Sequence, residues 1–105
     1  MMYMNVPIGS GWKIIWNWMP DIDPSLLSSD DKRWLQFTED LLYIQSADGR
    51  YMIDVGWYPE MNPSGIFGLY VIENNDWANP VESVSDRNME KIIARVTAFC
   101  NKYGG

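Results

Sequence analysis

The chain has no histidine. That absence removes the commonest general base, the Ser-His-Asp and Cys-His arrangements, and zinc sites built on imidazole. There is one cysteine, Cys100, so no internal disulfide can close, and one thiol without imidazole cannot assemble a zinc site. A lone thiol is compatible with a reducing cytosol. No apolar stretch approaches the roughly 18 residues that a membrane-crossing helix requires. The opening MMYMNVPIGSG lacks a basic flank, a sustained apolar run and an obvious cleavage site, so it does not read as a secretory signal. Gly9-Ser10-Gly11 is too short to cradle a phosphate and lacks the lysine that a P-loop places after it. Repeats and low-complexity tracts are absent as well.

Basic residues are scarce. Eight Lys and Arg face fourteen Asp and Glu, for a net charge of −6. The imbalance is uneven: residues 1–84 hold four bases against twelve acids, and residues 85–105 hold four bases against two acids. An acidic body with a mildly basic tail end is a poor ligand for nucleic acid or for an anionic membrane, because phosphate binding needs clustered Lys and Arg. It suits a basic partner, through steering and complementary contacts; excess acid also serves solubility alone.

What is present is apolar and aromatic. At 105 residues, 47% of them hydrophobic, the chain is expected to be one domain over 1–105 with a real core and no need of a metal or cofactor. Six tryptophans are many for this length. Most Trp are core residues, and an exposed one or two would be binding anchors.

The organising stretch is Arg50 to Pro80. Tyr51, Ile53, Val55 and Trp57 alternate with Met52, Asp54, Gly56 and Tyr58, the period-2 pattern of a strand with one better-buried face. Ile66 to Ile72 is apolar on both faces, as in a strand covered on both sides. Pro59 to Gly65 between them holds two prolines and cannot continue either strand. Asn74 to Pro80 is a second break, rich in turn formers. Before this stretch, Ala47-Asp48-Gly49 fits a three-residue hairpin loop, which pairs Leu41 to Ser46 with Arg50 to Tyr58.

Trp12 to Met19 reads as a further strand, with Trp12, Ile14, Trp16 and Trp18 on one face and Lys13 and Asn17 on the other; Pro20 stops it. Ser28-x-x-Asp31 resembles a capping box, and a helix is expected from near Ser29 to near Asp40, with Trp34, Leu35, Thr38, Leu41 and Leu42 on one side. Val81 to Val84 is a short edge strand. A final helix, opened by Ser85 and Asp86, carries Met89, Ile92, Ile93, Val96, Phe99, Cys100 and Tyr103 on one face and ends at Gly104-Gly105. Its bases, Arg87, Lys91, Arg95 and Lys102, read as a solvated face. The fold class expected is α+β: an antiparallel sheet of four to five strands, the C-terminal helix packed on one face, and a shorter helix in the N-terminal third.

Chemistry is harder to find. Asp21-Ile22-Asp23 has the start of a calcium loop but none of the further oxygen ligands, the permissive Gly or the closing Glu, so no metal is expected. Asp54 is the one acid placed mid-strand within the two long runs, and with Glu60 it is the pair a small carboxylate-dependent hydrolase would use. A mid-strand acid more often lies on a solvated face, and no enzyme activity is expected. What remains is acids beside aromatics on loops. The candidate partner-binding residues are Asp21, Asp23, Asp30, Asp31, Tyr58, Glu60, Asp76 and Trp77, the pattern an inhibitor of a basic protein presents.

The run Asp54-Val55-Gly56-Trp57-Tyr58-Pro59-Glu60, then Pro63-Ser64-Gly65-Ile66-Phe67, then Asp76-Trp77-Ala78-Asn79-Pro80, resembles the central segment of small bacterial immunity proteins of contact-dependent growth inhibition and polymorphic toxin systems. The resemblance covers Arg50 through the final helix. It implies a non-enzymatic, cytoplasmic protein that binds a cognate toxin domain, often a nuclease and here with an RNase favoured, and blocks it by stoichiometric, charge-complementary binding. The alternatives are a general interaction or adaptor module and the hydrolase.

Overall fold

The computed structural model describes residues 3–104. Five strands, β1 (Trp12–Asn17), β2 (Leu42–Ser46), β3 (Tyr51–Tyr58), β4 (Ile66–Glu73) and β5 (Glu82–Asp86), form one antiparallel sheet in the order β1-β2-β3-β4-β5, and α1 (Met89–Gly104) follows. The expected α+β class holds. The hairpin between β2 and β3 turns where expected. Gly49 takes φ 75°, the left-handed region open to glycine, and Asp48 accepts from the Arg50 amide at 3.0 Å and from Ser46 Oγ at 2.8 Å.

β3 and β4 pair over eight residues each, and their alternation sorts the two faces. Ile53, Val55 and Trp57 stand opposite Val71, Leu69 and Phe67, and all six join one core with Ile92, Val96 and Phe99 of α1. The periodic face of α1 is as expected from sequence: Met89, Ile92, Ile93, Val96, Phe99 and Cys100 are buried. Its start is later than expected. Ser85 and Asp86 still pair with Gly68 and Phe67, so they extend β5, and Asn88 caps the helix by accepting from the Lys91 amide at 3.0 Å.

The N-terminal third differs from its expected helix. It holds two short 3-10 turns, Pro24–Leu26 and Lys32–Gln36. Asp31, rather than Ser28, caps the second turn, accepting from the Arg33 amide at 2.9 Å. The three-residue spacing sends Trp34 and Phe37 together against Trp57, with ring centroids 5.7 and 5.2 Å away. Leu35, expected on the buried side, is 65% exposed. From Thr38 on, the chain already runs beside β3: Thr38 O accepts from Trp57 N at 2.8 Å, and Leu41 N donates to Val55 O at 3.0 Å. A continuing helix would forfeit both bonds.

β1 also departs from its expected faces. It ends at Asn17, and its register slips between Ile14 and Trp16, so Ile15 is the extra residue of a bulge. Trp12 and Ile14 align with Ser46 and Ile44 on the α1 side, whereas Trp16 aligns with Tyr43 on the opposite side. Trp12 is buried and its Nε1 donates to Cys100 O at 3.1 Å, tying β1 to α1.

The loop 59–65 is clamped from several sides. Met61 N donates to Phe37 O, and Trp57 Nε1 to Asn62 O at 2.8 Å. Arg87, expected in solvent, donates to Gly65 O and to Pro63 O and lies 5.3 Å from the Trp57 ring. It holds the loop and is not part of a free basic face.

Candidate functional site: the sheet face opposite the helix

Side chains that alternate away from α1 make a second surface. Trp16, Tyr43, Asp54, Tyr70 and Ser83 are register partners in succession, one from each strand, β1 to β5. This row crosses the whole sheet, about 19 Å at the usual strand spacing. Its β1 end continues as an aromatic chain: Trp16 stacks on Trp18 at 5.8 Å, Trp16 meets Tyr43 at 4.8 Å, and Tyr43 meets Trp77 at 6.0 Å. Trp77 belongs to the β4–β5 connection, yet it reaches β2. That connection therefore folds back across the face, consistent with Met52 and Ile72 being buried on the side away from α1. Asn74 and Asn75, both at positive φ, make the reversal.

Asp54 stands at the middle of the row. Among the described residues its carboxylate accepts no hydrogen bond and forms no ion pair; the three ion pairs there are Arg33–Asp31, Arg50–Glu73 and Lys102–Glu82. Burial among its neighbours, reinforced by the charge of Asp40, pushes its pKa up to about 6. It is partly buried rather than solvated, which corrects the expectation for a mid-strand acid. The carboxylate that acts on it is Asp40; Glu60 lies past the end of β3 on an exposed loop, so the sequence-based pair is not assembled.

Two facing glycines shape the surface beside Asp54. Gly56 and Gly68 are register partners. A Cβ on Gly56 would strike the Glu39 carbonyl and come within 2.9 Å of Tyr58 Oη, and one on Gly68 would lie 3.1 Å from both Tyr58 and Tyr70. The glycines are the seat on which the Tyr58 ring folds back toward Asp54, packed edge-on to Tyr70 at 6.3 Å. Burial first, then the charge of Asp54, holds the Tyr58 phenol up at about 12.

Of the sequence-based partner residues, Tyr58 and Trp77 lie on this face, Trp77 48% exposed. The acids lie elsewhere. Asp23 caps the first 3-10 turn and Asp31 the second, and hydrogen bonds from Ser25 and Arg33 respectively lower their pKa values, that of Asp31 to about 2. Asp30 accepts from Ser28 Oγ at 2.8 Å, and Asp76 accepts from Asn79. Asp21 and Glu60 are exposed loop residues. Trp16, Trp18, Tyr43 and Tyr70 were not among the sequence-based candidates. The signal for Tyr43 and Tyr70 is the register that aligns them with Asp54; the signal for Trp16 is hidden by the bulge.

A groove of about 260 Å³ adjoins the β1 end of the row, lined by Tyr3, Trp18, Leu35, Gln36 and Thr38. Tyr3, Trp18 and Leu35 are each about half exposed or more. Trp16 Nε1 and Gln36 Oε1 are buried without a partner among the described residues, a donor in the row and an acceptor in a groove-lining side chain. Exposed apolar rings gathered at one end of a sheet face are the kind of patch that marks an interaction surface. Among the described residues no three or more Cys, Asp or Glu gather to hold a metal ion, and no helix is long and apolar enough to cross a membrane. Comparison with known proteins finds no matching family model, no matching curated protein and no matching solved structure.

Proposed function

We propose that this protein is a cytoplasmic immunity protein that binds a cognate basic toxin domain, a nuclease with RNase favoured, and neutralises it by stoichiometric, charge-complementary binding. The observation that carries the reading is the face opposite the helix, where the exposed rings of Trp18 and Trp77 extend a row that holds an acid with no ion-pair partner among the described residues. Among the described residues three of the fourteen acids form ion pairs, which leaves eleven without one to project negative potential toward an incoming cationic surface. Aromatic anchors supply the tight part of such an interface and acids supply its rate and selectivity. The resemblance of the Asp54–Pro80 segment to immunity proteins supports the same reading, and the partner is protein rather than nucleic acid or membrane.

The test is genetic and then physical. The product of the neighbouring open reading frame, expressed alone, is expected to arrest growth; co-expression of this chain is expected to restore it, and the two are expected to co-purify one to one. Cells that lack this chain and survive that product unharmed would overturn the proposal. So would turnover of a substrate by the purified protein.

A further inference from the structure

We propose that the sheet face around Asp54 is a receptor for one arginine side chain of a partner protein. This rests on the inhibitor reading and deepens it by naming the contact. Tyr43 and Tyr70 flank Asp54 from the neighbouring strands, and Tyr58 leans back over Gly56 and Gly68 to form a third wall. Asp40 adds negative charge at the rim, and the Glu39 carbonyl projects above Gly56.

Among the described residues no cation pairs with Asp54, and Lys13, Lys32, Lys91 and Arg95 form no ion pair at all. Arg33, Arg50 and Lys102 pair with other carboxylates, and Arg87 is spent on loop carbonyls. Nothing among the described residues compensates Asp54, and the complement is external. A guanidinium fits better than an ammonium. Its planar fork can bond the carboxylate with two N–H groups and lie flat on a tyrosine ring, and it sheds water more readily than lysine. The tyrosine rings keep water away from much of the carboxylate, which strengthens the pairing relative to an exposed surface acid.

The test needs no toxin. Capped pentapeptides of one sequence carrying arginine, lysine or citrulline are titrated at millimolar concentration into the isotopically labelled full chain. Ring and amide resonances of Tyr43, Asp54, Tyr58 and Tyr70 are followed. The arginine peptide is expected to shift these resonances saturably, the lysine peptide to bind at least threefold more weakly, and the citrulline peptide to leave them unmoved. Asp54→Asn, isosteric and uncharged, is expected to weaken the arginine response at least tenfold while its spectrum stays dispersed; Asp21→Lys with Asp23→Lys is expected to leave that response at the site intact. Equal binding by Asp54→Asn, or shifts confined to residues 21–31, would overturn the site. A failed growth rescue with intact arginine binding would remove the inhibitor reading alone, whereas rescue without arginine binding would remove this site alone.

Discussion

Asp54 illustrates how a single side chain can cost stability without a structural return. Its folded pKa lies above the value of an unfolded aspartate, so the native state holds the proton more tightly. Its favourable contribution is complete below about pH 4 and is lost as pH rises through about 6. At neutral pH the buried charge therefore weighs against folding, by on the order of 1–2 kcal/mol once the water that still reaches the carboxyl is allowed for. Asp54→Asn is expected to stabilise the protein by about that much at pH 7 and by little at pH 4, measured by urea unfolding at both values. Equal effects at the two pH values would show that charge burial is not the cause. Gly56 is a second single-residue test. Gly56→Ala drives a methyl into the Glu39 backbone, which cannot rotate away, and a loss of about 2 kcal/mol or more is expected.

Among elements, the N-terminal third tests packing against periodicity. Phe37 is fully buried between Trp34, Trp57 and Phe67, whereas Leu35 is 65% exposed. Phe37→Ala is expected to cost about 3–5 kcal/mol and Leu35→Ala less than about 0.5 kcal/mol, both by denaturant unfolding. A helix through the segment would predict a large cost at Leu35. Asn88→Ala is expected to cost about 1 kcal/mol through loss of the α1 cap, with Asn88→Asp retaining most of it.

The same elements explain what was legible beforehand. The hairpin loop, β3, β4 and the apolar face of α1 were readable because local pattern and tertiary burial agree there. The 3-10 turns were not, because Trp34 and Phe37 are placed by Trp57, a partner some twenty residues away in sequence. The bulge was not, because one extra residue in an alternating run leaves no compositional mark. Asp54 stands out in the sequence as the lone mid-strand acid, but its aromatic surroundings depend on registers that no single strand reveals.

For the whole molecule the governing quantity is charge. The residues up to 84 carry the acid excess, and the bases of the last helix are partly engaged, Lys102 with Glu82 at 2.7 Å. If acids steer association, the on-rate for the cognate partner is expected to fall steeply, tenfold or more, between low and physiological salt, by stopped-flow mixing. A flat response would count against electrostatic capture. Reversing Asp21 and Asp23 to Lys is expected to slow association more than reversing Glu90, which lies among the bases of α1. Under the proposed inhibitor function the aromatic face would set the rate of dissociation, so Trp77→Ala is expected to change the off-rate and leave the salt dependence of the on-rate unaltered.

The slipped register at Ile15 has a consequence for how such a surface could diversify. Removal of Ile15 would keep Ile14 opposite Ile44 and Trp16 opposite Tyr43 in strict alternation, so the indole would stay outward; a strand that kept Ile15 but lost the bulge would set Ile15 opposite Tyr43 and turn Trp16 inward. The bulge, and not the tryptophan itself, thus decides whether the indole stands on the outer side, and substitutions that straighten the strand around Ile15 would withdraw it without touching Trp16.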